Sequence, residues 1–126
     1  MAKKILVVED EPDIADLVKL VLDTGDFEVR TVLDPEQAYD QAKAYKPDAI
    51  LVDLLMPKLD GWAVFKQLRN DPEFAHVPVA ILTAKSQEFD AMVGLHVMKA
   101  DAYITKPFGK QELLDKTREL FKDPDQ

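Results

Sequence analysis

The chain has 126 residues, 47% of them apolar, and a formal net charge of −8. This length fits one domain with a sizeable core, and the acidic balance argues against direct binding of nucleic acid or an anionic membrane. No apolar run is long enough to span a membrane, and the absence of cysteine excludes disulfides and thiolate metal sites. We therefore expect one cytoplasmic domain, with residues 122–126 as a flexible tail.

Five short apolar runs predict β-strands, and the segments between them carry helical periodicity. The runs are rich in β-branched residues and mostly lack alternation, which is typical of a parallel sheet covered on both faces. They cover residues 4–8, 27–32, 49–53, 77–82 and 102–105. Two apolar stripes with spacings of three and four residues predict the first and last helices. These stripes comprise Ile14, Leu17, Val18, Val21 and Leu22, and then Leu113, Leu114, Thr117, Leu120 and Phe121.

Helix boundaries are also marked in the sequence. Asp34 is a candidate N-cap, because Pro35 suits the first helical position and Gln37 stands three residues after the cap. Gly25 follows the first stripe, where a glycine can close a helix at its C-terminus. The two histidines, at positions 76 and 96, lack a ligand-like spacing, so we expect no zinc site from them.

The regular alternation of strands and helices predicts a doubly wound α/β fold with a parallel sheet and right-handed crossovers. Ligands of such sheets bind at the carboxyl ends of the strands. Polar residues stand at this end of four predicted strands. They are Glu9, Asp10 and Glu11 after the first strand, Asp53 at the end of the third, Thr83 after the fourth, and Lys106 after the fifth. Carboxylates, a hydroxyl and an ammonium group are thus predicted to share one edge.

This predicted cluster has the composition of a metal-dependent phosphoryl site. Mg²⁺ prefers hard oxygen ligands and commonly takes one or two carboxylates together with phosphate oxygens. Asp53 can act as a nucleophile that accepts a phosphoryl group, while Lys106 and the Thr83 hydroxyl can hold the remaining phosphoryl oxygens. Taken alone, Glu9 and Asp10 could instead be charges at a helix N-terminus. The joint placement of all five residues favours the site.

Four segments resemble the response-regulator receiver domains of two-component signalling. They are "ILVVEDE" at 5–11, "PDAILVDLLMPKLDGW" at 47–62, "VPVAILTAK" at 77–85 and "ADAYITKPF" at 100–108, and the resemblance covers residues 3–121. It implies a flavodoxin-like three-layer sandwich with a five-stranded parallel sheet of order 2-1-3-4-5 and five helices. It also implies a signalling domain that catalyses only its own phosphorylation and dephosphorylation.

The resemblance assigns a Mg²⁺ site to positions of this chain. Asp53 corresponds to the phosphoacceptor, which is also a metal ligand, and Asp10 corresponds to a second direct ligand. Glu9 corresponds to an acidic partner that acts through water, and Leu55 to the residue whose backbone carbonyl completes the protein ligands. The implied cofactor is Mg²⁺, and the implied phosphoryl donor is a histidine kinase or a phosphotransfer protein.

The resemblance also assigns a switch. Thr83 and Lys106 correspond to the hydroxyl and the lysine that contact the phosphoryl group, and Tyr103 corresponds to an aromatic switch residue. Phosphorylation of such domains changes the surface formed by the fourth helix, the fifth strand and the fifth helix, which signals to a downstream protein. The peptide bond that precedes Pro107 is usually cis in this family.

The sequence departs from the family pattern at three places. Ala102 stands where a DNA-binding branch carries an acidic residue that pairs with a basic residue across a homodimer, so Lys116 is predicted to lack that partner. Lys99 replaces a usual glycine, and the segment 96–99 is one residue longer than usual. Leu55 presents an apolar side chain where a hydrolytic water would approach. The oligomeric state and the lifetime of the phosphoryl group therefore stay open.

Three other functions compete with phosphoryl acceptance. A flavin mononucleotide binder of this fold would need a hydroxyl- and glycine-rich phosphate loop after the first strand, where this chain has "EDEPD" at 9–13. A phosphohydrolase would need a second carboxylate two residues after Asp53 as its acid and base, but Leu55 stands there. A phosphorylation-independent interaction module would not need Asp10, Asp53 and Lys106, yet all are present. That module is kept as the alternative.

Overall fold

The computed structural model describes residues 2–53, 61–84 and 100–121. The strands are β1 (Lys3–Val8), β2 (Phe27–Val32), β3 (Ala49–Asp53), β4 (Val79–Ala84) and β5 (Ala102–Lys106). The α-helices in these ranges are α1 (Pro12–Leu22), α2 (Ala38–Tyr45), α3 (Gly61–Arg69) and α4 (Lys110–Glu119), and a 3₁₀ turn at Pro35–Gln37 precedes α2. The fifth helix that the resemblance implies, between β4 and β5, falls outside the described residues. So does the predicted tail at 122–126.

All five strands pair in parallel, in the order β2-β1-β3-β4-β5. This pairing confirms the predicted doubly wound sheet and its strand order. The central strand β3 is buried along its whole length, up to and including Asp53. Because parallel strands all end at the same edge, the carboxyl ends of β1, β3 and β5 lie along one side of the molecule. No helix in the described ranges combines the length and apolar character needed to cross a membrane.

The core has two layers, because successive residues of a strand point to opposite faces of the sheet. On β1, Leu6 and Val8 pack on one face with residues of α2 and α3. Ile5 and Val7 pack on the other face with residues of α1 and α4. Each fully buried aliphatic side chain of this kind contributes roughly 1.5–3 kcal/mol to folding. The result is the predicted three-layer sandwich, with the sheet between α2 and α3 on one face and α1 and α4 on the other.

The fourth strand begins two residues later than the sequence predicts. The predicted start is residue 77, but β4 begins at Val79. The backbone of Val77 is engaged elsewhere, because its N–H donates to the carbonyl of Phe74 at 3.2 Å and its carbonyl accepts from the Arg69 guanidinium at 2.6 Å. The turn after α3 therefore continues through Val77 and delays the strand.

Gly25 does not close the first helix, contrary to the prediction. The helix ends at Leu22, where the N–H of Asp23 donates to the carbonyl of Lys19 at 2.7 Å. No glycine within the described ranges has a positive φ. The left-handed residue at a helix end is instead Lys46, which follows α2 with φ 56°. A long polar residue thus takes the conformation that was expected of a glycine.

Asp34 does act as a cap, but it caps a different element. Its side chain accepts a hydrogen bond from the N–H of Glu36 at 3.0 Å, at the start of the 3₁₀ turn. The α-helix begins only at Ala38. The buried stripe of α1 also differs from the prediction, because Leu17 is 44% exposed and Ala15 takes a buried position beside Val18, Val21 and Leu22.

The strand β2 forms one edge of the sheet, and Tyr45 at the end of α2 packs over the face formed by β1 and β2. The Tyr45 hydroxyl lies within hydrogen-bond distance of the Glu28 carbonyl oxygen, at 3.1 Å, and of the Glu28 carboxylate, at 2.8 Å. The Arg30 guanidinium lies 4.5 Å from the centroid of the Tyr45 ring, and the Lys4 Nζ lies 5.4 Å from it. One aromatic side chain thus joins α2, β1 and β2.

Candidate functional site

Three carboxylates converge at the carboxyl ends of β1 and β3. One oxygen atom each of Glu9, Asp10 and Asp53 lies within 4.8 Å of the others. Glu9 and Asp10 directly follow β1, and Asp53 is the last residue of β3. The pairing of Val8 with Val52 fixes the register that brings the two strand ends level. The convergence is therefore a direct result of the parallel sheet.

Lys106 reaches this cluster from the end of β5. Its Nζ donates to Glu9 Oε2 at 2.8 Å and lies 3.4 Å from Asp53 Oδ2. Its backbone pairs with Ala84 at the end of β4, so the strand register holds the lysine at the same edge as the carboxylates. The peptide bond to Pro107 is cis, as the resemblance implied. Four of the predicted site residues thus meet at one point.

The burial of this cluster changes its acid–base properties. Glu9 is fully buried and Asp53 is 3% exposed. Burial raises the pKa of Glu9 to about 7, with Asp53 adding to the shift and the hydrogen bond from Lys106 opposing it. Burial alone would lower the pKa of Lys106, but the two carboxylates beside it raise that pKa overall. The lysine is therefore charged, and Glu9 holds a proton more tightly than an ordinary glutamate.

One carboxylate oxygen of Asp10 has no hydrogen-bond partner among the described residues. Its Oδ1 is buried and accepts no hydrogen bond from residues 2–53, 61–84 or 100–121. A buried polar atom without a partner costs free energy that a donor or a cation would recover. Carboxylate oxygens gathered at this spacing are a donor set that suits Mg²⁺. The residues present therefore fit a divalent cation.

Glu11 lies apart from the cluster, although it belongs to the same acidic segment of the sequence. It is exposed and takes the N-cap position of α1, where its N–H donates to Glu9 Oε1 at 3.2 Å. With Asp13 in the first turn, it places negative charge at the positive end of the helix. Glu11 thus belongs to the start of the helix rather than to the carboxylate cluster.

The remaining predicted residues are placed only in part. The backbone of Thr83 lies in β4, paired with Thr105, but its side chain and the whole of Leu55 lie outside the described residues. Tyr103 is half-buried on β5 and packs against the core layer that contains α2 and α3. The Nζ of Lys116, on α4, lies 5.7 Å from the centroid of the Tyr103 ring.

Two contacts of these residues were missed by the sequence analysis. The sequence could have indicated the ion pair between Lys106 and Glu9, because both residues follow predicted strands at the same edge of the sheet. Nothing in the sequence indicated the contact between Lys116 and the Tyr103 ring, because this contact depends on how α4 lies against β5. A helical stripe predicts which face of a helix is buried, but it does not predict which strand residue meets a given side chain.

Relatives of known sequence match most of this chain. The family model described as the response regulator receiver domain matches residues 5–118. The alkaline phosphatase synthesis transcriptional regulatory protein PhoP of Bacillus subtilis is 45% identical over 113 residues, which cover 90% of this chain and 46% of that protein. The DNA-binding dual master transcriptional regulator RpaA of Synechocystis is 38% identical over 122 residues, which cover 97% and 50%. This chain thus spans about half the length of these curated relatives.

Solved structures share the fold. The chemotaxis protein CheY4 of Vibrio cholerae matches with a TM-score of 0.88 and 26% identity, covering 96% of this chain and 100% of that one. NtrX of Brucella abortus matches with a TM-score of 0.87 and 28% identity, covering 95% of this chain and 27% of that one. Because the family model, the sequence relatives and the strand order all agree, the chain belongs to the response regulator receiver domain family.

Proposed function

We propose that this chain accepts a phosphoryl group on Asp53 from a phosphohistidine of a histidine kinase or a phosphotransfer protein, in a Mg²⁺-dependent reaction. The observation that carries the proposal is the convergence of Glu9, Asp10 and Asp53 with the Lys106 ammonium group. Membership in the receiver domain family supports the same function. The phosphorylated domain then signals to a downstream protein through the surface that contains β5 and α4.

The chemistry needs a nucleophile and a means to neutralise the transferred charge. A carboxylate oxygen of Asp53 attacks the phosphorus, a P–O bond forms, the P–N bond breaks, and its electron pair stays on the imidazole nitrogen of the donor. Lys106, whose Nζ lies 3.4 Å from Asp53 Oδ2, is close enough to bind an oxygen of the transferred group. The hydroxyl of Thr83 is proposed to hold another of these oxygens.

The metal ligands are assigned on the same grounds. Mg²⁺, when bound, would neutralise the carboxylates and the phosphoryl oxygens during transfer. Asp10 and Asp53 would hold it directly and Glu9 through water, and the backbone carbonyl of Leu55 would complete the protein ligands. The buried Asp10 Oδ1, which lacks a partner in the described part of the chain, supports a cation at this place.

The output of this chain is proposed to run through a protein partner. A relative is named as DNA-binding, but that name describes a protein about twice as long as this chain. The net charge of −8 disfavours contact with phosphate backbones. We therefore assign no direct nucleic-acid contact to residues 1–126.

The test is phosphorylation by acetyl phosphate followed by intact mass spectrometry. The wild-type protein with Mg²⁺ should gain one phosphoryl group, and Asp53→Ala should gain none. Asp115→Ala, which removes an exposed carboxylate of α4, is the matched control and should react like the wild type. EDTA should suppress the reaction. Equal labelling of Asp53→Ala, or an equal rate in EDTA, would refute the assignment, and an unreactive wild-type protein would favour the phosphorylation-independent interaction module.

A further inference from the structure

Lys116 extends from α4 toward the strand β5. Its Nζ lies 5.7 Å from the centroid of the Tyr103 ring, within the range at which a cation is attracted to an aromatic face. Both residues are half-buried, so water screens this attraction less than it would screen a fully exposed pair. Tyr103 also packs against the core layer that contains α2 and α3. The ring is thus held between the core and a lysine.

This ammonium group has no carboxylate partner in the described ranges of the chain. The ion pairs of α4 are made by Arg118, whose guanidinium lies 3.9 Å from Asp26 and from Asp115. Ala102, one residue before Tyr103 on β5, offers no charge. Among the residues that the structure describes, the Tyr103 ring is therefore the partner that holds the Lys116 side chain.

We propose that Lys116 is a positioning residue that holds the Tyr103 ring in the orientation seen in the structure, that phosphorylation of Asp53 favours another orientation, and that the contact so sets the balance of the switch. This inference rests on the proposed function, because it concerns the response of Tyr103 to phosphorylation of Asp53. A contact made in only one of two states opposes the change to the other state in proportion to its own strength. Lys116 would thereby act on the switch without contacting the phosphoryl group.

The size of the effect follows from the strength of such contacts. A cation over an aromatic ring at a partly exposed site changes an equilibrium constant by roughly two- to fivefold. If the competent state is a minor population, the apparent affinity for a phosphoryl mimic changes by the same factor. Removing the lysine charge should therefore make the domain respond at about two- to fivefold lower concentrations of the mimic.

The experiment titrates the protein with beryllofluoride at saturating Mg²⁺ and follows the amide NMR shifts of residues 102–106. Lys116→Met keeps most of the aliphatic stem and removes the charge, so its half-saturation point should fall by about two- to fivefold. Lys116→Gln, a second neutral variant, should behave alike, and Lys116→Arg should stay near the wild type. Arg118→Met removes the same charge two residues away and should leave the half-saturation point unchanged.

A double-mutant cycle assigns the effect to the ring. In a Tyr103→Leu background, Lys116→Met should cause no further change. Equal effects of Lys116→Met and Arg118→Met, or an effect that persists without the ring, would overturn the inference. A wild-type protein that responds to beryllofluoride with the same midpoint as Lys116→Met would overturn the inference alone. A wild-type protein with no response would overturn the proposed function, and this inference with it.

Discussion

Asp10 has an oxygen that no residue in the described ranges satisfies, and two other carboxylates lie close to it. Repulsion and desolvation at this point should destabilise the metal-free protein. We expect Asp10→Asn to raise the metal-free melting temperature by roughly 4 °C, equivalent to about 1 kcal/mol. Thermal unfolding in EDTA measures this change, with Asp16→Asn on the exposed side of α1 as the control. A lower melting temperature in Asp10→Asn would show that the empty site is not under repulsion.

Thr117, on α4, also has a buried polar atom without a hydrogen-bond partner among the described residues. It is fully buried, and its Oγ1 has no hydrogen-bond partner in the part of the chain that the structure describes. Thr117→Val replaces the hydroxyl with a methyl group of similar shape, so it should stabilise the protein by about 1 kcal/mol. Urea unfolding measures the difference. Thr117→Ser keeps the hydroxyl and loses the methyl group, so it should destabilise, and a less stable Thr117→Val would mean that the hydroxyl is satisfied.

The two elements α2 and α3 are joined by Asp71, which lies in the turn after α3. It accepts the Tyr39 hydroxyl and lies 2.8 Å from the Lys43 Nζ, both from α2. The hydrogen bond from Lys43, then those from Tyr39 and the Glu73 N–H, lower the pKa of Asp71 from 3.8 to about 2. This pair of elements is therefore held by an ionised carboxylate.

The pH dependence of this link has a definite sign. A carboxyl group whose pKa is lower in the folded state stabilises the fold fully above its unfolded pKa, and that contribution is lost as the pH falls toward the folded pKa. We expect Asp71→Asn to flatten the fall of the melting temperature between about pH 4 and pH 2 relative to the wild type. Glu36→Gln changes an exposed carboxylate and should keep the wild-type slope. If the melting temperatures of the wild type and Asp71→Asn fell equally steeply below about pH 4, the lowered pKa of Asp71 would be contradicted.

The elements themselves were predicted well where the signal is local. The apolar runs located all five strands, and the stripe of α1 located that helix, because burial repeats with the period of the element. The late start of β4 is an error of another kind, because Arg69 of α3 takes the carbonyl of Val77, and such a contact leaves no periodic trace in the sequence. At a helix end, Lys46 rather than Gly25 takes the left-handed conformation, which the search for a glycine did not locate.

At the scale of the molecule, metal binding and folding should be coupled. A ligand that binds only the folded state at 100 times its dissociation constant adds about 2.7 kcal/mol to the free energy of unfolding. Mg²⁺ should therefore raise the stability of the wild-type protein by about this amount, and Asp10→Asn should lose most of the increment. Urea unfolding with and without Mg²⁺ tests this, with NaCl of equal ionic strength as the control. An equal increment in both proteins would indicate that the metal binds elsewhere.

The site was predictable because the sheet is parallel. Once the strands were located, Glu9, Asp10, Asp53 and Lys106 had to stand at the same edge, and the structure brings them together. The proton affinity of Glu9 could not be predicted in the same way, since it depends on complete burial beside a second carboxylate. Sequence patterns thus locate the edge, while packing determines the charge state within it.

The tyrosine at the end of α2 bears on how firmly the edge of the sheet is held. An edge strand is hydrogen-bonded to a neighbour on one side only, so it opens locally more readily than an inner strand. Here the Tyr45 hydroxyl lies within hydrogen-bond distance of Glu28, and its ring lies beside the Arg30 and Lys4 cations. Local opening of β2 would have to break these contacts with α2 as well as the pairing with β1. The edge strand is therefore fastened to a helix as well as to its neighbouring strand, and its amide hydrogens should exchange more slowly than those of a strand held by pairing alone.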